Sequence, residues 1–145
     1  MKIRFKRLSP RAEEPKRAHA GDAGFDLVAV SLRVDDDGAV VYGTGVAVEI
    51  PEGYVGLVFP RSSVAKKDMV LSNGVGVIDS GYRGEIMAKF RLVDPLLKHE
   101  EYHWYDVGER ICQLVVMKLP DVELEEADEL SDSERGDGGY GSTGK

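Results

Sequence analysis

The apolar residues of this chain fall in short runs broken by frequent turn residues. Lys2-Ile3-Arg4-Phe5-Lys6 alternates strictly, which predicts a strand with one dry face. Val40-Val41-Tyr42 and Val46-Ala47-Val48-Glu49-Ile50 are rich in β-branched residues. Pro51-Glu52-Gly53 is a turn, and the next strand, Tyr54 to Phe59, is closed by Pro60. Val75 to Ile78, Ile86 to Phe90 and Ile111 to Val116 continue the series. Only Ser62 to Asp68 and Pro95 to Tyr105 carry a helical pattern. No fixed-period repeat is present. Many short strands with closely spaced turns predict an all-β sandwich or barrel.

The ends differ from the middle. Lys2, Arg4, Lys6, Arg7, Arg11, Lys16 and Arg17 make the first stretch basic, which reads as a solvated face. From Asp121 the chain turns acidic, and it ends in a segment from Arg135 to Lys145 that is dense in glycine. Ordering such a backbone is entropically expensive, so the expectation is an arm that is mobile until something binds it. The division expected is a β-domain over 1–130 and an arm over 131–145.

At 145 residues the chain suits one domain, with or without a tail. A net charge of −7 disfavours general binding to duplex nucleic acid or to anionic membrane. One cysteine, Cys112, forms no intramolecular disulfide. The basic start lacks the apolar stretch of a secretory signal, and no run approaches a membrane-spanning length. A cytoplasmic location is the expectation.

Three short patterns point to chemistry that their surroundings do not support. His99-Glu100-Glu101-Tyr102-His103 fits H-E-x-x-H, a zinc-peptidase pattern, but no third ligand is marked and the candidate helix is short. Arg135-Gly136-Asp137 spells an adhesion tripeptide without any sign of secretion. Gly136, Gly138 and Gly141 fit G-x-G-x-x-G without a strand–helix unit around them. Their physical content survives, because glycine-dense backbone lets several N–H groups converge on phosphate oxygens.

Other residues are better placed. Arg61-Ser62-Ser63 follows a strand and opens the short helical stretch, so serine capping, free N–H groups and a planar guanidinium fork all favour an anion. Asp79 ends an apolar run before a turn, where a carboxylate either acts as a base on water or simply forms the turn. Tyr82 alone reads as a core or rim aromatic. Asp26, after Gly21-Asp22-Ala23-Gly24-Phe25, serves a metal ion or closes another turn. Gln113 sits in an apolar strand and must find a partner for its amide.

Taken together, five segments resemble the five ordered motifs of trimeric dUTP pyrophosphatases (dUTPases). They are His19 to Leu27, Pro60 to Lys66, Asn73 to Ile86, Gly108 to Leu114 and Arg135 to Gly144. The resemblance covers nearly the whole chain. It implies a jelly-roll-like β-barrel with a short helix and a glycine-rich C-terminal arm. It also implies a homotrimer whose three active sites are each built from all three chains, with dUTP as substrate and Mg2+ on the triphosphate. The implied reaction is dUTP + H2O → dUMP + diphosphate, by water attack on the α-phosphorus. Such a reaction limits uracil incorporation into DNA and supplies dUMP for dTMP synthesis.

By the same resemblance, Asp79 positions and activates the water, and Ser62 steadies the α,β-bridging oxygen as charge builds there. Arg61, Ser63 and Gln113 hold the phosphate chain, and Asp26 contacts the metal through water. Asn73, with the backbone of Gly76 and Val77, reads the uracil edge, and Tyr82 stacks beneath deoxyribose. Arg135 grips the γ-phosphate. Tyr140 covers the uracil where the family usually has phenylalanine, and Gly141, Ser142 and Thr143 add phosphate contacts. Two alternatives differ in class. A deoxycytidine triphosphate deaminase shares the fold but needs a glutamate where Lys89 stands. A nucleotide-sensing regulatory protein would bind dUTP without hydrolysing it. The stretch Val93 to Val107 is longer than the family connection, and neither residues nor resemblance gives it a role.

Overall fold

The computed structural model describes residues 1–93 and 103–139. Short β-branched runs pair into antiparallel strands: β1 Arg4–Arg7, β2 Phe25–Val28, β3 Ser31–Val34, β4 Val40–Gly43 and β5 Val46–Glu49. They continue as β6 Tyr54–Pro60, β7 Met69–Leu71, β8 Gly76–Ile78, β9 Met87–Leu92 and β10 Arg110–Lys118. One four-stranded sheet has the order β2-β10-β6-β8, a second has β3-β4-β9-β7, and β1 pairs with β5. The strand pattern predicts this all-β arrangement, and its jelly-roll-like form is the one the resemblance implies.

Both sheets feed one core. Leu27, Val58, Cys112 and Leu114 come from the first sheet, while Val40, Tyr42, Ala88 and Phe90 come from the second. Three rings fill the centre. Tyr42 meets Phe90 edge-on at 5.7 Å between centroids and Tyr105 at 6.3 Å, and Phe90 lies 5.8 Å from Tyr105. Tyr42 donates its hydroxyl to the Tyr105 carbonyl at 2.8 Å, so the buried phenol has a partner and its ionisation is pushed far up by burial. A register shift between Arg110 and Cys112 bulges β10 against β2. That extra residue lets both Ile111 and Cys112 be buried although they are adjacent in sequence.

The structure corrects several expectations. The first strand begins at Arg4, and all four of its residues are exposed, so its apolar face is left uncovered in the single chain. Phe5 lines a surface groove there instead of a core. The segment after Pro60 is a 3-10 helix of five residues, Ser62–Lys66; Arg61 occupies the cap position and no side chain caps the turn. Strands β2, β3 and β7, absent from the sequence reading, are only three or four residues long. Of the helix expected over Pro95 to Tyr105, residues 94–102 lie outside the described part, and residues 103–105 are not helical. The acidic stretch from Asp121 to Glu134 forms no helix or strand and is exposed throughout. No helix among the described residues is long and apolar enough to cross a membrane.

Two outcomes follow from this core. Phe90→Ala removes a fully buried ring from the aromatic trio and is expected to lower unfolding free energy by about 3–5 kcal/mol, read from urea denaturation at fixed protein concentration. Cys112 is pushed from 9.0 up to about 12, first by burial and then by the Asp26 charge. The native thiol therefore stays unreactive toward a thiol-labelling reagent at neutral pH and reacts only on unfolding. Because folding raises this group, its contribution to stability is complete below pH 9.0 and is lost as pH rises toward about 12.

Candidate active site

The residues singled out in the sequence gather into two groups. The first surrounds a cleft of about 440 Å³ lined by Asn73, Gly76, Val77, Asp79, Tyr82 and their neighbours. The turn between β7 and β8 builds one wall. Gly74 adopts a positive φ of 68°, its N–H reaches Leu71 O at 3.0 Å, and the Val75 N–H reaches Asn73 O at 2.7 Å. Gly76 is close-packed, since a Cβ there would lie 3.2 Å from Val58 Cβ and 3.6 Å from Asn73 Nδ2.

Asp79 directly follows β8 and is exposed at the cleft, not sealed in the core. The turn that carries it is held from three sides. The Tyr82 N–H donates to Asp79 O at 3.1 Å, and the Tyr82 hydroxyl donates to Glu85 O at 2.9 Å. Arg83 Nη1 donates to the carbonyls of Ser80 at 2.6 Å and Tyr82 at 2.8 Å. Tyr82 thus presents an exposed ring at the rim of the cleft. Lys89 also lines the cleft, but its ammonium is held by Asp35 at 2.9 Å and Asp37 at 3.0 Å, outside any catalytic pairing.

The second group lies where β2, β10 and the end of β6 meet. Asp26 of β2 receives Arg61 Nε on Oδ1 at 2.7 Å and Arg110 Nη1 on Oδ2 at 3.0 Å. With side-chain exposures of 15% for Asp26 and 24% for Arg61, this pair is poorly screened. Arg61 turns its Nε edge to Asp26, which leaves the Nη edge for an incoming anion. Nη1 reaches Ser63 Oγ at 3.5 Å. Gln113 stands opposite Asp26 on one side and Phe59 on the other, and its Nε2 donates to Pro60 O at 3.2 Å. Its amide oxygen faces Gly24, where a Cβ would come within 2.5 Å.

Asp26 therefore lies in a strand and anchors arginines; it does not close a turn. Among the described residues no group of three or more acids, histidines or cysteines could hold a metal ion. Each Asp26 oxygen keeps a lone pair, so the donor set suits contact through a water on an ion that keeps its hydration shell, as Mg2+ does. Of the H-E-x-x-H pattern, His103 pairs with Asp68 at 2.9 Å, and both a backbone and a side-chain bond from His103 hold the Asp68 carboxyl below its usual range. His99 lies outside the described residues. Arg135 donates its Nε to Gly138 O at 2.9 Å in a local turn. Tyr140, Gly141, Ser142 and Thr143 also lie outside the described residues.

The sequence alone assigns no role to Arg110, although it opens the strand that carries Gln113. Its alignment with Asp26 depends on the bulge in β10, which leaves no local signal. The two groups do not meet within one chain. Gly56 pairs with Ile78 and Val58 with Gly76, so Asp79 lies beside the start of β6 and Arg61 beyond its end. Six residues of extended chain, from the level of Val55 to Arg61, separate them by roughly 20 Å.

This geometry has known counterparts. The dUTPase family model matches residues 11–144. The deoxyuridine 5'-triphosphate nucleotidohydrolase of Corynebacterium glutamicum is 46% identical over 145 residues, covering 99% of this chain and 95% of that protein. A variant of the Staphylococcus bacteriophage 80alpha dUTPase, solved with dUpNHpp, superposes with a TM-score of 0.82 at 34% identity, covering 99% of each chain. A dUTPase variant from phage phi11 of S. aureus, described with a structural Mg(II) ion, has a TM-score of 0.74 at 28% identity over 89% of this chain and 98% of that one. The chain belongs to the dUTPase family, whose members hydrolyse dUTP to dUMP and diphosphate.

Proposed function

We propose that each active site for dUTP hydrolysis is completed between copies of this chain, with the Asp79 cleft of one copy facing the Asp26–Arg61–Gln113 group of another. The observation that carries this reading is the β6–β8 register, which holds the base and the phosphate donors at opposite ends of one ladder. Proton transfer needs a base within about 3 Å of the attacking water. The phosphorus attacked must at the same time lie among the phosphate donors. One chain cannot satisfy both, and a closed homotrimer with three equivalent boundaries does.

In this arrangement the nucleoside lies in the cleft. Asn73 and the backbone of Gly76 and Val77 read the uracil edge, where a mismatched base leaves buried polar groups unpaired. Tyr82 supports the deoxyribose and leaves no space for a 2′-hydroxyl. Asp79 orients the water and accepts its proton as the new oxygen–phosphorus bond forms. The bond from the α-phosphorus to the bridging oxygen breaks, and diphosphate leaves. Ser62 donates to the bridging oxygen as charge develops there. Arg61, Ser63 and Gln113 hold the phosphate oxygens, and the Asp26 pairing keeps the Arg61 fork in place.

Asp26 would hold Mg2+ on the triphosphate through water, and the ion would supply neutralisation of phosphate charge. Residues 131–145 form the closing arm on the domain of residues 1–130. Arg135 grips the γ-phosphate, Tyr140 stacks on the uracil, and Gly141, Ser142 and Thr143 supply further phosphate contacts. A cytoplasmic location fits this metabolic role.

Complementation tests the shared site. Asp79→Asn and Arg61→Ala chains are each expected to be nearly inactive. Co-expressed, they should recover about a quarter of wild-type turnover, the fraction of sites that combine two intact halves on random association. Recovery no greater than either parent would place both halves in one chain. Asp79→Asn alone should lower kcat by about 100-fold or more while a non-hydrolysable dUTP analogue still binds, as steady-state kinetics and calorimetry would show. Gly24→Ala is expected to displace the Gln113 amide and lower kcat/KM by roughly tenfold in a diphosphate-release assay. Truncation before Arg135 should reduce activity and leave the oligomer intact by light scattering.

A further inference from the structure

Tyr105 lies near the end of the stretch from Val93 to Val107, and this residue has contacts that packing alone does not require. Its ring is buried to 1% exposure against Tyr42 and Phe90. Its carbonyl is fixed by the Tyr42 hydroxyl at 2.8 Å. Lys67 lies over the ring face at 4.7 Å. That ammonium is itself held by the Trp104 carbonyl at 2.8 Å and by Glu109 at 3.1 Å. A ring gripped on its edges, face and backbone has one orientation. That orientation carries the hydroxyl to Ser63 Oγ at 3.0 Å, in the loop that also presents Arg61.

The direction of that bond can be argued from donor accounting. A buried phenol needs an acceptor for its proton, and among the described residues the one partner of the Tyr105 hydroxyl is Ser63 Oγ. Arg61 Nη1 has no lone pair and also approaches Ser63 Oγ as a donor, at 3.5 Å. A serine oxygen that accepts from both sides has its two lone pairs engaged. Its own O–H is then left to donate outward, on the side where an anion would approach the arginine.

We propose that Tyr105 is a positioning residue for dUTP hydrolysis, holding Ser63 Oγ as an acceptor so that the Ser63 proton points at a phosphate oxygen of the substrate. The proposal rests on the reading of the Arg61–Ser63 loop as a phosphate holder. It gives the long connection a role in binding: it delivers a rigid phenol behind the phosphate loop. Tyr105→Phe keeps the ring and its packing and deletes only the hydroxyl.

The test uses full-length protein, with dUpNHpp as the triphosphate probe and deoxyuridine as a probe of the base and sugar pocket alone. Tyr105→Phe is expected to weaken dUpNHpp binding and raise KM for dUTP by about five- to tenfold, with a smaller change in kcat and unchanged deoxyuridine affinity. In a Ser63→Ala background the same substitution should add nothing, because the group it orients is gone. Equal weakening of both probes, or the same extra loss in the Ser63→Ala background, would make Tyr105 a packing residue and overturn the proposal. A silent Tyr105→Phe beside an impaired Ser63→Ala would overturn it and leave the phosphate-loop reading intact. If Ser63→Ala itself bound dUpNHpp as tightly as wild type, the assignment of Ser63 to phosphate would fail and the proposal with it.

Discussion

The antiparallel pairing of β6 with β8 is the constraint on which the rest depends. β6 is the central rail of its sheet, bonded to β10 on one side and β8 on the other. Its far end runs directly into Arg61, and its near end lies beside the turn that carries Asp79. A strand cannot shorten, so the two chemical groups are held apart as firmly as the core is folded. On the shared-site proposal, each chain supplies half of a site at each end of one ladder.

Around Arg61, electrostatics does the positioning. Asp26 pairs with two arginines from two different segments, so the local balance is positive by one charge before any substrate arrives. A buried or half-buried ion pair adds little net stability once desolvation is counted. Its value here is geometric, because the carboxylate fixes which edge of the Arg61 fork faces outward. Behind the loop, Ser63 and Tyr105 extend the same logic with neutral groups, and the aromatic trio that closes the core also anchors that support. The aromatic trio thereby joins the core to the Arg61–Ser63 loop.

Much of this was legible in the sequence, and the exceptions have physical reasons. The β-branched runs of β4 and β5 are buried almost throughout and those of β6 and β10 in part, and hydrophobic pattern is a sufficient guide there. Strands β2, β3 and β7 carry only one β-branched residue each, so no run marks them, and they form by pairing with β10, β4 and β9. The five motifs marked Asp79, Arg61 and Gln113 individually. That they fall at opposite ends of a ladder depends on register, which no single segment encodes. The pairing of Arg110 with Asp26 depends on a bulge, and the role proposed for Tyr105 depends on its contact with a residue 42 positions away. His103 shows the opposite case: a strong local pattern whose histidine spends its imidazole on Asp68.

The most direct measurement of the account is a crystal structure of the full-length protein with Mg2+ and a non-hydrolysable dUTP analogue. The account predicts a water at the α-phosphorus within about 3 Å of the Asp79 carboxylate of one copy. The phosphate oxygens at that same phosphorus would be held by Arg61 and Gln113 of a neighbouring copy. A nucleotide bound with all three side chains supplied by a single chain, or with Asp79 remote from the α-phosphorus, would contradict it.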